Sequence, residues 1–410
     1  MRRLLALVLT AGLGCAQALA QGEGARTARA APPEPIRFGQ ACIDPERTVT
    51  VAAVGDVLLH DSLQRWAALQ ADGFLAAMRN VGELLRAADV AVANMEGAAA
   101  ENTRSGGQRM PAPASRYDGI AYSGYPLFNA HPSVISDLKS IGVDVLQTAN
   151  NHALDRGALG ADLTLEAIRA AGLVSTGTRH RASPEGPWHA SYEVVRGNTR
   201  HTLAFLACTY GTNGIADRAR QVLNCFEHKA EVLSAIRQLA ARNDVHAVIV
   251  LPHWGNEYQH RADPVQRALA REFVEAGATA VIGTHPHVIQ EIEKLQAPDG
   301  REALVAYSLG NFVSHQSGLA RLSSVVLLVG LAPDGRGKLG PAALGWVPLR
   351  MRVSGGYSVD PVDQLGTREG APAREHLLGL LPAENLHPAQ APFWKHRHCA
   401  PGDRAPRDKG

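Results

Sequence analysis

Carboxylate, carboxamide and imidazole side chains recur in this chain at one kind of place, the end of a short apolar run. Val51–Val54 leads to Gly55-Asp56, and Val90–Ala93 leads to Asn94-Met95-Glu96. Val145–Ala149 leads to Asn150-Asn151-His152, and Val248–Leu251 to Pro252-His253-Trp254-Gly255-Asn256-Glu257. Val281-Ile282 leads to Gly283-Thr284-His285-Pro286-His287, and Val305–Tyr307 to Ser308-Leu309-Gly310-Asn311-Phe312. Short apolar runs rich in β-branched residues read as buried strands. Ligands of open α/β sheets bind beyond the carboxyl ends of the strands. Several such ends at one edge would assemble oxygen and nitrogen donors for a hard or borderline metal ion.

Each motif has its own chemistry. Gly55 lets the backbone turn closely and Asp56 offers a charged oxygen, although an Asx-turn reads the same way. Glu96 is the carboxylate that reaches the same edge, with Asn94 on its side by strand alternation; a Glu capping the next segment is the competing reading. Asn150-Asn151-His152, followed by Asp155 and Gly157, would pack poorly in a core. The group suits a neutral Asn oxygen, from Asn150 or Asn151, on a metal with the adjacent His152 turned toward substrate, or else a polar turn. His285 and His287 fall on one face if the backbone stays extended, and Pro286 stiffens it. With His253, and Glu257 nearby, this chelating pair suits Zn, Mn or Fe. Asn311 lines the pocket, hydrogen-bonds an oxyanion, or sits in a tight turn. His60 reads as a further ligand or a supporting partner, and His396 and His398 as solvated groups in a basic tail. No G-x-S-x-G elbow and no P-loop occur.

The elements that must position these groups alternate between strand and helix, which makes the fold α/β. Helical patterns cover Gly73–Ala87, Pro132–Ile141, Gly160–Ala171, Glu227–Arg242 and Pro264–Ala276, and strands Leu203–Cys208, Leu322–Leu331 and Leu344–Val353. Residues 101–127 form a long loop, of a length that is often functional. The chain has 410 residues, room for one large or two ordinary domains. A formal charge of +2 and 5% aromatics give no sign of a nucleic-acid partner.

Residues 1–20 read as a secretory signal: Arg2-Arg3, an apolar stretch too short to span a bilayer, then Ala18-Leu19-Ala20 before Gln21. Lipidation at Cys15 fits less well, because Gly12 stands where Leu is expected three residues earlier. The reading is therefore soluble export to the periplasm or outside the cell, with no transmembrane segment in the mature chain. Residues 21–47 read as a linker, 48–355 as the folded domain and 356–410 as a partly disordered C-terminal extension. Cys42, Cys208, Cys225 and Cys399 remain after cleavage, and an even count in an exported chain points to disulfides. The pairs favoured are Cys208–Cys225, closing a short loop, and Cys42–Cys399, tying the domain ends.

Taken together and in order, these motifs resemble the CapA-type poly-γ-glutamate capsule-synthesis proteins, over residues 48 to 315. That family is similar in fold and metal-site layout to calcineurin-like metallophosphoesterases. The resemblance implies a four-layer αββα sandwich and a two-metal site. It makes Asp56 a ligand of the first metal, Glu96 the bridging carboxylate and Asn151 the neutral ligand of the second metal. His253, His285 and His287 complete the set, and His152 is the general acid or transition-state stabiliser. Leu58 departs from the pattern, since the enzymes carry His two residues after that Asp. Glu96 departs too, standing where they carry Asp. The implied function is an exported hydrolase of a phosphoester or γ-glutamyl amide bond in capsule or surface-polymer metabolism, in contact with that polymer and its synthesis machinery. The alternative is a non-catalytic assembly or tethering factor that keeps the fold.

Overall fold

A computed structural model describes residues 33–39, 42–390 and 398–399, the two short pieces Cys42–Ile43 and His398–Cys399 by backbone alone. The signal segment with Cys15, residues 21–32 of the linker, and His396 lie outside the described residues.

Two β-sheets stack face to face. The first contains β1 (Val49–Leu58), β2 (Val90–Met95), β3 (Val145–Gln147) and β4 (Val174–Thr176) in parallel. On the other side of β1 it adds β12 (Ser323–Pro333), β13 (Leu339–Arg352) and β14 (Ser358–Pro361), antiparallel in turn. The second sheet has the order β9 (Ile292–Gln296), β10 (Glu302–Ala306), β8 (Ala280–Ile282), β7 (Ala247–His253), β6 (Thr199–Thr209) and β5 (His189–Arg196). Its four inner strands β10, β8, β7 and β6 run parallel.

Strand alternation explains the layers. Val49, Val51 and Ala53 of β1 face the second sheet and share a core with Leu203, Phe205 and Ala207 of β6 and Ala247, Ile249 and Leu251 of β7. The intervening Ala52 and Val54 face outward, onto α1 (Asp61–Ala68), a broken helical stretch over residues 75–86 and α2 (Ser133–Ser140). Residue Ile168 of α3 (Gly157–Ala170) belongs to the same outer core. On the far side, Val248 and Val250 of β7 pack under α4 (Lys229–Ala241) and α5 (Pro264–Ala276). The result is the four-layer αββα arrangement, helices outside two sheets.

Three details differ from the sequence reading. Gly73–Ala87 is not one helix but Leu75–Met78, a 3-10 turn over Arg79–Val81, and Gly82–Arg86. Its apolar face is nonetheless buried as the spacing requires, and Gly82, a weak helix former, marks the break. Ile36, inside the expected linker, is buried and exchanges hydrogen bonds with Asn385 at 3.0 and 3.1 Å. In the expected extension, β14 joins the sheet and α6 (Thr367–Leu378) packs Leu377 into the inter-sheet core.

Cys208, at the end of β6, is disulfide-bonded to Cys225, 17 residues on. Cys42 stands opposite Cys399 in a two-residue ladder, but their side chains are not among those described. The short loop closed by Cys208–Cys225 constrains the unfolded chain by about 3 kcal/mol. The Cys208→Ala/Cys225→Ala variant is expected to lose about that much in urea unfolding. An unchanged midpoint would show that the bridge contributes nothing.

Candidate metal centre

The parallel strands of both sheets end on one edge, and the chain passes between the sheets there. After β10, residues 307–310 cross over and β11 (Asn311–Ser314) pairs in parallel with the end of β1, Asn311 opposite Asp56. The crossing is tight: Asp56 N donates to Gly310 O at 3.0 Å. A Cβ on Gly55 would sit 1.8 Å from that oxygen, so Gly55 is required by contact. Gly283 plays the same part under β8, where a Cβ would lie 2.1 Å from Tyr307 O.

The histidine pair converges by a different route from the one expected. The backbone at His285-Pro286-His287 is bent, not extended, with φ of +102° at His285 and +58° at His287. Strand alternation therefore does not align the two rings. Two kinks on either side of Pro286, in a backbone region that residues other than glycine rarely adopt, bring them together, with centroids 5.8 Å apart. Such strain persists only where the surroundings over-determine it, and it clusters at functional sites.

Asp56, Glu96, Asn151, His253, His285 and His287 are all buried in one cluster. Asp56, Glu96 and His253 form one group of potential ligands, and Glu96, His285 and His287 another, donor atoms in each lying within 4.8 Å of one another. Glu96 is common to both. Its Oε1 is 3.6 Å from His253 Nε2 and 3.8 Å from His287 Nε2. His287 Nδ1 is 3.1 Å from Asp56 Oδ2, and His253 Nε2 is 2.8 Å from Asn151 Oδ1. Two ligands of one first-row ion, each about 2.1 Å from it, stand roughly 3–3.5 Å apart. The separations in this cluster fall around that spacing.

The donor set fits metal on a second ground. Neither oxygen of Glu96 has a hydrogen-bond partner among the described residues, and neither does His285 Nδ1. Buried polar atoms are almost always paired, so orphans of this kind ask for a cation. Electrostatics agree. Burial, then the nearby Asp56 and Glu257 carboxylates, raise the Glu96 carboxyl well above its ordinary range. Burial, with His285, His287 and His152 close by, holds His253 well below the ordinary imidazole value. Burial followed by His287 and His152 lowers His285 to about 3. Neutral imidazoles are the form that ligates metal.

The carboxamides brace the cluster. Asn94 Nδ2 donates to Asp56 Oδ1 at 2.8 Å, and Asn150 Nδ2 donates to Asn94 Oδ1 at 3.1 Å and to Met95 O at 2.7 Å. Asn311 Oδ1 is 3.1 Å from His287 Nδ1, while its Nδ2 donates to His287 O and Arg321 O. His152 sits beside the cluster, its Nδ1 2.7 Å from Asp155 Oδ2. Phe128, immediately after the long loop, meets the His152 ring edge-on at 4.7 Å and donates its N–H to Asp155. Glu257 is exposed at the mouth. Burial, then the charges of Glu257 and Glu96, push the Tyr210 phenol up to about 12. His60 does not join either ligand group: its Nδ1 lies 3.1 Å from Leu58 O and its ring against Phe128. Burial lowers it to about 4.

Three contributors escape the motif reading. Thr284 Oγ1 is 2.9 Å from His253 Nδ1 and orients that ring. Tyr210 lies against the His285 ring with centroids 4.6 Å apart, and Asn213 Oδ1 accepts from Asn151 Nδ2 at 3.2 Å. Thr284 lies inside a recognised motif. Tyr210 and Asn213 follow the buried run Leu203–Cys208, so strand-end logic applied to that strand finds them too.

Comparison with known proteins places the chain in a family. Residues 50–316 match the family model described as bacterial capsule synthesis protein PGA_cap. The chain is 30% identical over 229 residues to the capsule biosynthesis protein CapA of Bacillus anthracis, covering 55% of this chain and 52% of that one. It is 31% identical over 208 residues to the PGA biosynthesis protein CapA of Bacillus subtilis (strain 168), covering 49% and 50%. The chain thus spans about half the length of these curated relatives. Among solved structures it is similar to the NAD nucleotidase (NadN) of Haemophilus influenzae, with a TM-score of 0.42 at 10% identity over 85% of this chain and 57% of that one.

Proposed function

The chain belongs to the bacterial capsule synthesis protein family PGA_cap, and from that premise we propose that it is an exported, metal-dependent hydrolase acting on a capsule or cell-surface polymer. The bond cut is a phosphoester or a γ-glutamyl amide, and the partners are that polymer and its synthesis machinery. The observation that carries the reading is Glu96, a buried carboxylate common to both ligand groups and without a hydrogen-bond partner among the described residues. Export rests on the Ala18-Leu19-Ala20 reading and agrees with the Cys208–Cys225 bridge.

Asp56, Glu96, Asn151, His253, His285 and His287 would hold two divalent ions, of Mn, Zn or Fe by ligand type. Bound there, the ions would polarise the substrate and neutralise charge that develops as the bond breaks. The remaining work falls to the chain's own groups. Asp155 takes the Nδ1 proton of His152 as a hydrogen bond and so fixes the tautomer, leaving Nε2 to serve the leaving group. Phe128 limits the tilt of that ring. Asn94, Asn150 and Asn311 hold the ligating groups in place, at the distances given above.

One observation favours the non-catalytic alternative. Leu58 is buried where the phosphoesterases carry a first-motif histidine, and His60 turns to a backbone carbonyl instead. Metal analysis of the chain beginning at Gln21, combined with turnover of phosphomonoesters, phosphodiesters and γ-glutamyl peptides under added Mn²⁺ or Zn²⁺, separates the two. Two ions per chain and turnover are expected. One ion or none, with no turnover of any substrate, gives the protein to assembly or tethering.

A further inference from the structure

The loop after β6 reaches the metal centre, where Tyr210 lies against His285 and Asn213 meets Asn151. It runs Tyr210-Gly211-Thr212-Asn213-Gly214 and turns through two consecutive left-handed residues, with φ of +50° at Asn213 and +76° at Gly214. Asn tolerates this conformation better than most side chains, and Gly better still. The turn aims Asn213 Oδ1 at Asn151, whose Nδ2 donates to it at 3.2 Å; the Tyr210 hydroxyl lies 3.4 Å from the same oxygen. On its other end, Asn151 Oδ1 is 2.8 Å from His253 Nε2.

We infer that Asn213 is a positioning residue that fixes which end of the Asn151 amide faces the ions. The two ends of a carboxamide are nearly equal in shape and opposite in chemistry: the oxygen ligates a cation and the NH₂ does not. Packing alone cannot choose between them. The acceptor at Asn213 does, because a turned amide would set its oxygen against Asn213 Oδ1 and turn toward the ions an NH₂ that cannot ligate them. Asn213 therefore acts one shell out, as the orienting partners of metal ligands do. The inference rests on the metal reading proposed above.

The test is calorimetric titration of the metal-free protein with Mn²⁺, alongside Co²⁺ absorption spectra, for Asn213→Gly and Asn213→Asp. Glycine removes the acceptor and relieves the backbone, so melting of the metal-free form should hold steady or rise. The affinity for the ion near Asn151 and His253 should fall about 10–100-fold, with the other ion unaffected. Aspartate keeps the acceptor and should restore tight binding. With Asn151→Ala already in place, Asn213→Gly should add no further loss. A glycine variant that binds both ions like the wild type overturns the inference, as does an aspartate variant no better than glycine. A wild type that takes up no metal instead brings down the metal reading, and this inference with it.

Discussion

Glu96→Gln should abolish tight binding at both metal positions and, in the same experiment, stabilise the metal-free protein. The two effects come from one fact. Glu96 is buried, lies beside the equally buried Asp56, and its carboxylate accepts no hydrogen bond from a donor among the described residues. With metal present, its charge is the ligand common to both groups, and a neutral amide is a poor substitute. The loss should exceed the roughly 10–100-fold seen when groups outside the first shell are changed. Without metal, the same charge is an uncompensated buried carboxylate, and removing it should return about 1–3 kcal/mol. The gain should depend on pH. The folded-state value of Glu96 is raised above its ordinary value of 4.5. Its contribution to stability is thus fully present below that value and is lost as pH rises through the higher folded value. The glutamine variant should match the wild type in acid and surpass it increasingly toward neutral and alkaline pH. Chelator-treated samples melted across that range would decide the matter. A variant that is less stable at pH 8, or that still binds two ions, contradicts the role given to Glu96.

Much of this site is legible in strand grammar. Short, largely apolar runs name the buried strands, and the polar residues that close each run mark the edge where a parallel sheet opens. Asp56, Glu96, Asn151 and His253 follow from that rule. The convergence of two sheets on one edge does not, because strand order and the crossing at residues 307–310 are tertiary facts. Nor does the path of His285-Pro286-His287: the spacing is right for alternation, yet the backbone takes two positive φ values to bring the rings together. Local sequence reports which residues want to be strand; it does not report where a strained turn is held by its surroundings. The helical stretch after Gly73 makes the same point at smaller scale. Its buried face is the one the spacing indicates, while its break into three pieces depends on how that face meets the sheet.

His152→Ala is the variant that separates a hydrolase from a metal-bearing scaffold. His152 lies outside both ligand groups, so its loss should leave metal content intact. If the protein is an enzyme, activity should fall about 10²–10⁴-fold, the usual share of a general acid or base. Asp56→Ala and Asn151→Ala should behave differently, losing metal and activity together, since a ligand holds the ion while an acid acts only as the leaving group departs. Asp155 supplies an internal check. Asp155→Asn keeps the size of the side chain but removes the charge that holds the Nδ1 proton of His152, so it should lower the rate with metal content unchanged. A purely structural role for the pair would move melting temperature and rate in step. A catalytic role moves the rate alone. If the metal-loaded wild type turns over none of the phosphoesters or γ-glutamyl peptides, and His152→Ala still supports surface-polymer production in cells, then the imidazole beside the metals does no chemistry and assembly is what the fold is kept for.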